Sequence, residues 1–327
     1  MFTERFPRVR LAHLPTPVEF LERLTANLGG PEIFVKRDDL TGLAGGGNKA
    51  RKLELLLADA LAQGADTLLT TGAAQSNQAR QAAAAAARVG LRCVLVLVRP
   101  IYGLAPQGNW LLDRLLGAEI RWVESKSQLT AVSEEVASHL RREGRSPYVV
   151  PYGASNALGV LGYVAAMEEI ASQGEFDHIV LASSSGGTQA GLVLGATLLG
   201  SGVRVLGISV DEQPTDLRRT VARLANEASA LLGGGPQVEP ADVGVNADYL
   251  GGGYGVVGDL EREAVALAAR LEGLLLDPVY TGRAFGGFLD LVGRGMFAKH
   301  EKVLFLHTGG IPALFAYARD ILVCAET

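Results

Sequence analysis

The feature that most constrains this chain is a series of short, continuously apolar segments separated by helical stretches. "DTLLTTG" (66–72), "LRCVLVLV" (91–98), "EIRWV" (119–123), "HIVLA" (178–182), "VRVLGISV" (203–210) and "KVLFLH" (302–307) read as strands, and "PYVVPYG" (147–153) as another short one. Their apolar residues run on rather than alternate, so these strands need cover on both faces. Between them, "SNQARQAAAAAARVG" (76–90), "GNWLLDRLLGA" (108–118) and "LTAVSEEVASHLRREG" (129–144) read as helices. So do "LGYVAAMEEIASQG" (161–174), "TQAGLVLGATLLG" (188–200) and "PALFAYARDIL" (312–322). Helical crossovers between buried strands imply parallel sheets with right-handed connections. The predicted class is α/β.

The chain has 327 residues, enough for one large domain or two ordinary ones with a substantial core. With 48% hydrophobic and 20% charged residues, the composition is that of a soluble globular protein. A net charge of −5 offers no electrostatic case for nucleic acid or acidic lipid. No stretch of 18 apolar residues and no apolar leader is present, and the Ala82–Ala87 tract is too short to span a bilayer. Cys93 and Cys324 cannot form a disulfide framework and lack metal spacing. They fit a reducing cytoplasm as small buried hydrophobes. Residues 231–258 break the strand–helix rhythm, and this turn-rich excursion is expected either to line a site or subunit contact or to lie loose on the surface. No repeat or linker marks a domain boundary.

Ligands of parallel sheets collect where strands end and helices begin. "AGGGNKARKLELLLADAL" (44–61) runs three glycines into Asn48, Lys49 and an amphipathic helix. Lys49 is either one more solvated cation or an amine directed at an anionic cofactor. "SSSGGTQAGL" (183–192) packs small residues and two glycines ahead of a helix starting near Thr188. That is an anion nest suited to phosphate, or a plain tight turn; it matches neither the dinucleotide nor the Walker glycine pattern. Ser76 and Asn77 stand at a strand-to-helix junction, where each alone would be an ordinary N-cap. "LDPVYTGRAFGG" (276–287) presents Tyr280 and Thr281 at a helix start, and "FLHTGGIPALF" (305–315) presents Thr308 before two glycines. Taken singly, Tyr280 reads first as a packed aromatic and His307 as structural. No nucleophile-elbow or zinc-helix motif occurs, and the five histidines are scattered, which argues against a serine hydrolase or a zinc enzyme.

A lysine after a glycine turn, a Ser-Asn at a helix start and a phosphate nest together suit pyridoxal 5'-phosphate: a Schiff-base amine, a ring-hydroxyl partner and a phosphate cup. On "RFPRVRLAHLPTPVEFL", "IFVKRDDLTGLAGGGNKARKLE" and "LFLHTGGIPALFAY" the chain resembles the D-cysteine desulfhydrase and 1-aminocyclopropane-1-carboxylate deaminase family. That family lies within the tryptophan-synthase-β-like, fold type II pyridoxal phosphate enzymes. The resemblance implies two open parallel-sheet, three-layer domains, the smaller spanning about 50–160 and the larger 1–49 plus 161–327. It implies a homodimer acting on a small amino acid. Lys49 would carry the cofactor, Ser76 would meet the substrate carboxylate or act as an acid/base partner, and Asn77 would meet the ring oxygen. Ser185, Gly186, Gly187 and Thr188 would form the phosphate cup, with Tyr254 and Tyr280 facing the substrate.

Within the family, the deaminases have glutamate and leucine where this chain has Thr281 and Thr308, as desulfhydrases do. A neutral hydroxyl beside the ring nitrogen makes the ring a shallower electron sink than a carboxylate does. That favours expelling a β-substituent over opening a cyclopropane. Gln78 and Gln189 look deaminase-like, and Arg283 replaces a lysine common in the family; these bear on substrate size and charge. The expectation is β-elimination from D-cysteine to pyruvate, ammonia and hydrogen sulfide. L-cysteate sulfo-lyase and the cyclopropane deaminase are the enzyme alternatives, and a non-catalytic pyridoxal phosphate carrier is the alternative outside catalysis.

Overall fold

A computed structural model describes residues 1–100 and 106–322; Cys324 lies outside them. The strands are β1 (Val18–Phe20), β2 (Glu32–Arg37), β3 (Thr67–Ala73), β4 (Arg92–Val98) and β5 (Glu119–Val123). The remaining five are β6 (Pro147–Val149), β7 (His178–Ser183), β8 (Arg204–Ser209), β9 (Gly244–Asn246) and β10 (Lys302–His307). They form two open sheets, of order β1-β2-β10-β7-β8-β9 and β5-β4-β3-β6. Every pairing is parallel except that of β1 with β2.

The continuous apolar strands follow from cover on both faces. In the six-stranded sheet Val180, Val303 and Phe305 pack with Phe285 and Phe288 of the helix Thr281–Gly293. Their strand neighbours Ile179, Leu181, Leu304 and Leu306 pack on the opposite side, against Tyr163, Met167 and Leu192. The four-stranded sheet repeats this: Leu68, Cys93, Leu95 and Leu97 face one cluster, while Leu69, Val94 and Val96 face Leu129, Ala137 and Leu140. Both parities are buried, so both must be apolar. No helix among the described residues is long and apolar enough to cross a membrane.

Two sequence expectations change. The strand read over 147–153 stops at Val149, and Tyr152–Ala154 form a 3-10 turn with Gly153 at φ 64°. Pro151 has no N–H for a ladder, and β6 ends before it. The helix read over 312–322 breaks at Tyr317 into Ile311–Ala316 and Ala318–Leu322. The helices Glu22–Leu28, Pro214–Leu231 and Asp259–Glu272, with β1, β2 and β9, occupy stretches left unassigned above.

Beneath the helix Lys49–Ala62 lies a polar lattice made from the "KRDD" and "NKARKLE" residues. Arg51 donates to Asp38 at 2.8 and 2.9 Å and to both oxygens of Glu169 at 2.9 Å. Lys36 reaches Glu169 at 2.5 Å, and Tyr163 donates to Asp38. Burial alone would raise Glu169, yet Arg51 and Lys36 hold it down at about 2. Removing Arg51 would leave buried Asp38 without its ion-pair partner and Glu169 with Lys36 alone, a loss of ~3–5 kcal/mol. Farther along the helix, Glu54 accepts the N–H groups of Leu11 and Ala12 at 2.9 and 3.0 Å and so ties down the chain start. The charged motif is therefore the interior brace of the helix that begins at Lys49.

Candidate active site

The ends of β3, β7 and β10 open into one cleft of about 670 Å³, counting the part open to solvent. Lys49, Ser76, Asn77, Gln78, Ser185, Gly186, Thr188, Tyr254, Tyr280 and Thr308 all line it. Residues up to 259 apart in sequence thus meet at the edges of two sheets, where crossover loops face helix N-termini.

The glycines before Lys49 serve close packing. Gly46 and Gly47 have φ of 72° and 129°, and a Cβ on Gly46 would overlap the Asp39 carbonyl. A Cβ on Gly309 would lie 2.7 Å from Gly47 Cα, so the turn is pressed against the β10 loop. Asn48 fastens the turn, its N–H donating to the Thr308 carbonyl and its amide to Thr188 Oγ1, both at 3.0 Å. Lys49 opens the helix with no ion-pair partner among the described residues, and burial lowers its amine to about 8. At pH 7 about a tenth of such an amine is neutral, against roughly one in three thousand at an ordinary lysine pKa.

Ser76 is the N-cap of the helix Asn77–Val89, accepting the Ala79 N–H at 3.2 Å, which leaves its hydroxyl proton to the cleft. Asn77 Oδ1 accepts from Asn109 at 2.9 Å and from Arg80 at 3.3 Å. With its oxygen engaged, Asn77 offers an NH2 donor to the cleft. Gln78 donates to Thr70 Oγ1 at 3.1 Å, leaving Oε1 without a partner.

Gly186 caps the helix Gly187–Leu199 with φ 77°, and the first helical N–H groups have no intrahelical acceptor. Ser185 Oγ lies 2.8 Å from Ser155 Oγ. Gly187 sits behind the cleft, where a Cβ would lie 2.9 Å from Lys52 Nζ. Lys52 is fully buried and, among the described residues, donates only to Gly153 O and Ser155 Oγ, both at 3.2 Å; burial and Lys49 push its pKa well down. Across the cleft, the Tyr254 and Tyr280 hydroxyls are 2.7 Å apart. Tyr254 leaves 36% of its surface exposed, but its hydroxyl is desolvated, and burial raises both phenols well above 10.

Thr281 departs from the reading that paired it with Thr308. It is buried in the turn, donating to Asp277 Oδ1 at 2.8 Å and accepting the Asp277 N–H at 2.9 Å, and it does not line the cleft. Asp277 also accepts the N–H groups of Val279, Tyr280 and Thr281, so its carboxylate is occupied. Gln189 lies off the cleft as well, donating to Gly244 O at 2.6 Å and tying its helix to β9. His307 is buried and accepts the Gly309 N–H at 3.3 Å. Asn48, Lys52 and Tyr152 were missed. The Pro151-Tyr152-Gly153 turn signal was legible for Tyr152, whereas nothing local distinguishes Lys52 from a surface lysine.

The profile of the pyridoxal-phosphate dependent enzyme family matches residues 9–309. Proteins named D-cysteine desulfhydrase from Salmonella newport (strain SL254) and Salmonella heidelberg (strain SL476) are each 45% identical over 321 residues, covering 96% of this chain and 97% of theirs. A crystal structure described as an ACC deaminase homologue superposes with a TM-score of 0.91 at 42% identity, over 98% of this chain and 97% of that one. O-ureido-L-serine synthase shares the fold, with a TM-score of 0.68 at 16% identity over 97% and 94% of the two chains. The chain belongs to the pyridoxal-phosphate dependent enzymes, as a fold type II member related to D-cysteine desulfhydrase and ACC deaminase homologues.

Proposed function

We propose that the chain is a D-cysteine desulfhydrase that breaks the C–S bond of D-cysteine to give pyruvate, ammonia and hydrogen sulfide. The observation that carries this reading is the cleft lining: hydroxyls, amides and Lys49, with no Asp or Glu among the described lining residues. Thr308 lines the cleft, and its hydroxyl would be the neutral partner of the ring nitrogen when the cofactor is bound. A neutral partner favours loss of a β-substituent over opening of a cyclopropane.

The residues present fit pyridoxal phosphate. Among the described residues Ser183 Oγ and Gln78 Oε1 are buried at the cleft without hydrogen-bond partners, and Lys52 is a buried amine with no anion beside it. Ser185, Gly186, Thr188 and the helix N–H groups would hold the phosphate, with Gly187 keeping the turn close to Lys52. Since Asn48 donates to Thr188 Oγ1, the Thr188 hydroxyl proton is free for a phosphate oxygen. Asn77 would donate to the ring oxygen.

When bound, pyridoxal phosphate supplies an electron sink for charge developing at the substrate α-carbon. Lys49 Nζ removes the α-proton, its burial-lowered pKa matching that task near neutral pH. The Ser76 hydroxyl donates to the substrate carboxylate. The Tyr254–Tyr280 pair holds a proton between two oxygens 2.7 Å apart and delivers it to the departing sulfur. Both phenols stay protonated across the working pH range because burial opposes the phenolate.

The chain is further proposed to divide into a smaller domain of about 50–160, which contains β3 to β6, and a larger one of 1–49 plus 161–327. A homodimer in the cytoplasm is the assembly the family resemblance supports. Keto-acid release from D-cysteine, L-cysteine, L-cysteate and 1-aminocyclopropane-1-carboxylate tests the function. D-cysteine is expected to lead. Brisk 2-oxobutyrate from the cyclopropane acid would overturn the choice, and a yellow protein inert to the whole panel would favour a carrier.

A further inference from the structure

Arg283 is not among the residues lining the cleft, yet both terminal nitrogens of its donor fork reach the loop that delivers Tyr254. Its side chain is 1% exposed, and Nε donates to Glu261 Oε1 at 2.6 Å. One terminal nitrogen donates to Gly253 O at 2.9 Å and Val210 O at 3.1 Å, and the other to Val256 O at 2.8 Å. Gly253 and Val256 bracket Tyr254 in a segment without helix or strand, where Gly251, Gly253 and Gly255 all have positive φ. Arg283 itself stands in the first turn of the helix that Tyr280 caps. One guanidinium therefore joins the backbone on both sides of Tyr254 to the helix start that carries Tyr280. A planar fork of five donors can serve three carbonyls and a carboxylate together; an ammonium at the end of a flexible stem cannot.

We infer that Arg283 is a positioning residue that sets the separation of the Tyr254 and Tyr280 hydroxyls, and through it proton delivery to the leaving sulfur. This rests on the reading of the tyrosine pair given above. In that step the C–S bond breaks with its electron pair moving to sulfur, and a tyrosine hydroxyl supplies the proton that completes hydrogen sulfide; solvent then reprotonates the tyrosine. Chloride leaves as a stable anion and needs no such proton.

The test compares D-cysteine with β-chloro-D-alanine on holoenzyme carrying Arg283→Lys, with Tyr254→Phe as the reference variant. Arg283→Lys is expected to lower kcat for D-cysteine by about tenfold or more, with KM changed less than about threefold. Turnover of β-chloro-D-alanine should be nearly preserved, as should the visible absorbance of the cofactor. Glu261→Gln, which keeps the fork but weakens its anchor, should show the same discrimination at smaller amplitude, and it decides the matter if Arg283→Lys does not fold. Equal losses on both substrates would reduce Arg283 to a general structural role and overturn the inference. So would full activity of both anchor variants while Tyr254→Phe discriminates, with the tyrosine reading intact. If Tyr254→Phe shows no discrimination, the tyrosine reading fails and the inference falls with it.

Discussion

Arg80 and Arg283 are both fully buried, and each stands behind one wall of the cleft. Arg283, behind the tyrosine wall, has a carboxylate at 2.6 Å. Arg80, behind the Ser76–Asn77 wall, donates only to neutral oxygens: Gly46 O at 2.6 Å, Asn109 Oδ1 at 2.9 Å and Asn77 Oδ1 at 3.3 Å. Among the described residues its Nε is unpartnered, and so are both oxygens of buried Asp113, which with Asp277 is one of two acids that act on it from a distance. Burial lowers Arg80 to about 10 and raises Asp113 to about 8. At neutral pH Arg80 is therefore charged while Asp113 is mostly protonated. The difference separates two tasks that a buried cation can perform. An arginine bonded to a carboxylate holds geometry, whereas one bonded only to neutral oxygens also lends positive potential to the wall where a ring oxygen would bind.

Lys49 lies between the two walls, and its removal sets the baseline for both. Lys49→Ala should abolish the visible absorbance of bound cofactor and lower turnover by more than about 10³-fold, measured by spectrum and keto-acid assay. Normal turnover would sink the assignment and with it the meaning of either wall. The walls themselves should then part company. Arg80→Met removes the charge and leaves Asn77 Oδ1 and the Gly46 carbonyl with one side-chain donor each, Asn109 and Gln81, so cofactor dissociation should rise by ~10–100-fold, whereas Arg283→Lys should leave it nearly unchanged. Equal weakening in both variants would erase the distinction.

A third expectation concerns pH. In the cofactor-free chain only the neutral Lys49 amine captures added pyridoxal phosphate. The capture rate should rise about tenfold between pH 7 and 9 and level off above its pKa of about 8. A rate still climbing steeply at pH 10 would mean that burial does not lower this amine. The smallest effect belongs to Asp113. Burial pushes its folded pKa up to about 8, above the ordinary aspartate value of 3.8, so the folded state holds the proton more tightly. Its stabilising contribution is full below about pH 4 and is lost as pH rises toward 8. Asp113→Asn should flatten the fall in Tm over that range by a few degrees, on the order expected for a chain of this size.

Continuous apolar strands, helical crossovers and small-residue loops at strand ends are local patterns. They were enough to predict an α/β fold with parallel sheets and to nominate Lys49, Ser76, Asn77, the 185–188 turn, Tyr280 and Thr308. Tertiary structure alone decided what each group faces. Asn48 meets Thr188 across 140 residues, Thr281 turns away into Asp277, Tyr152 enters the cleft, and Arg283 reaches back to the Tyr254 loop. Hydrophobic periodicity reports only whether a side chain is buried. The partner of a buried polar atom is set by chain crossings distant in sequence, and these exist only once both sheets have formed.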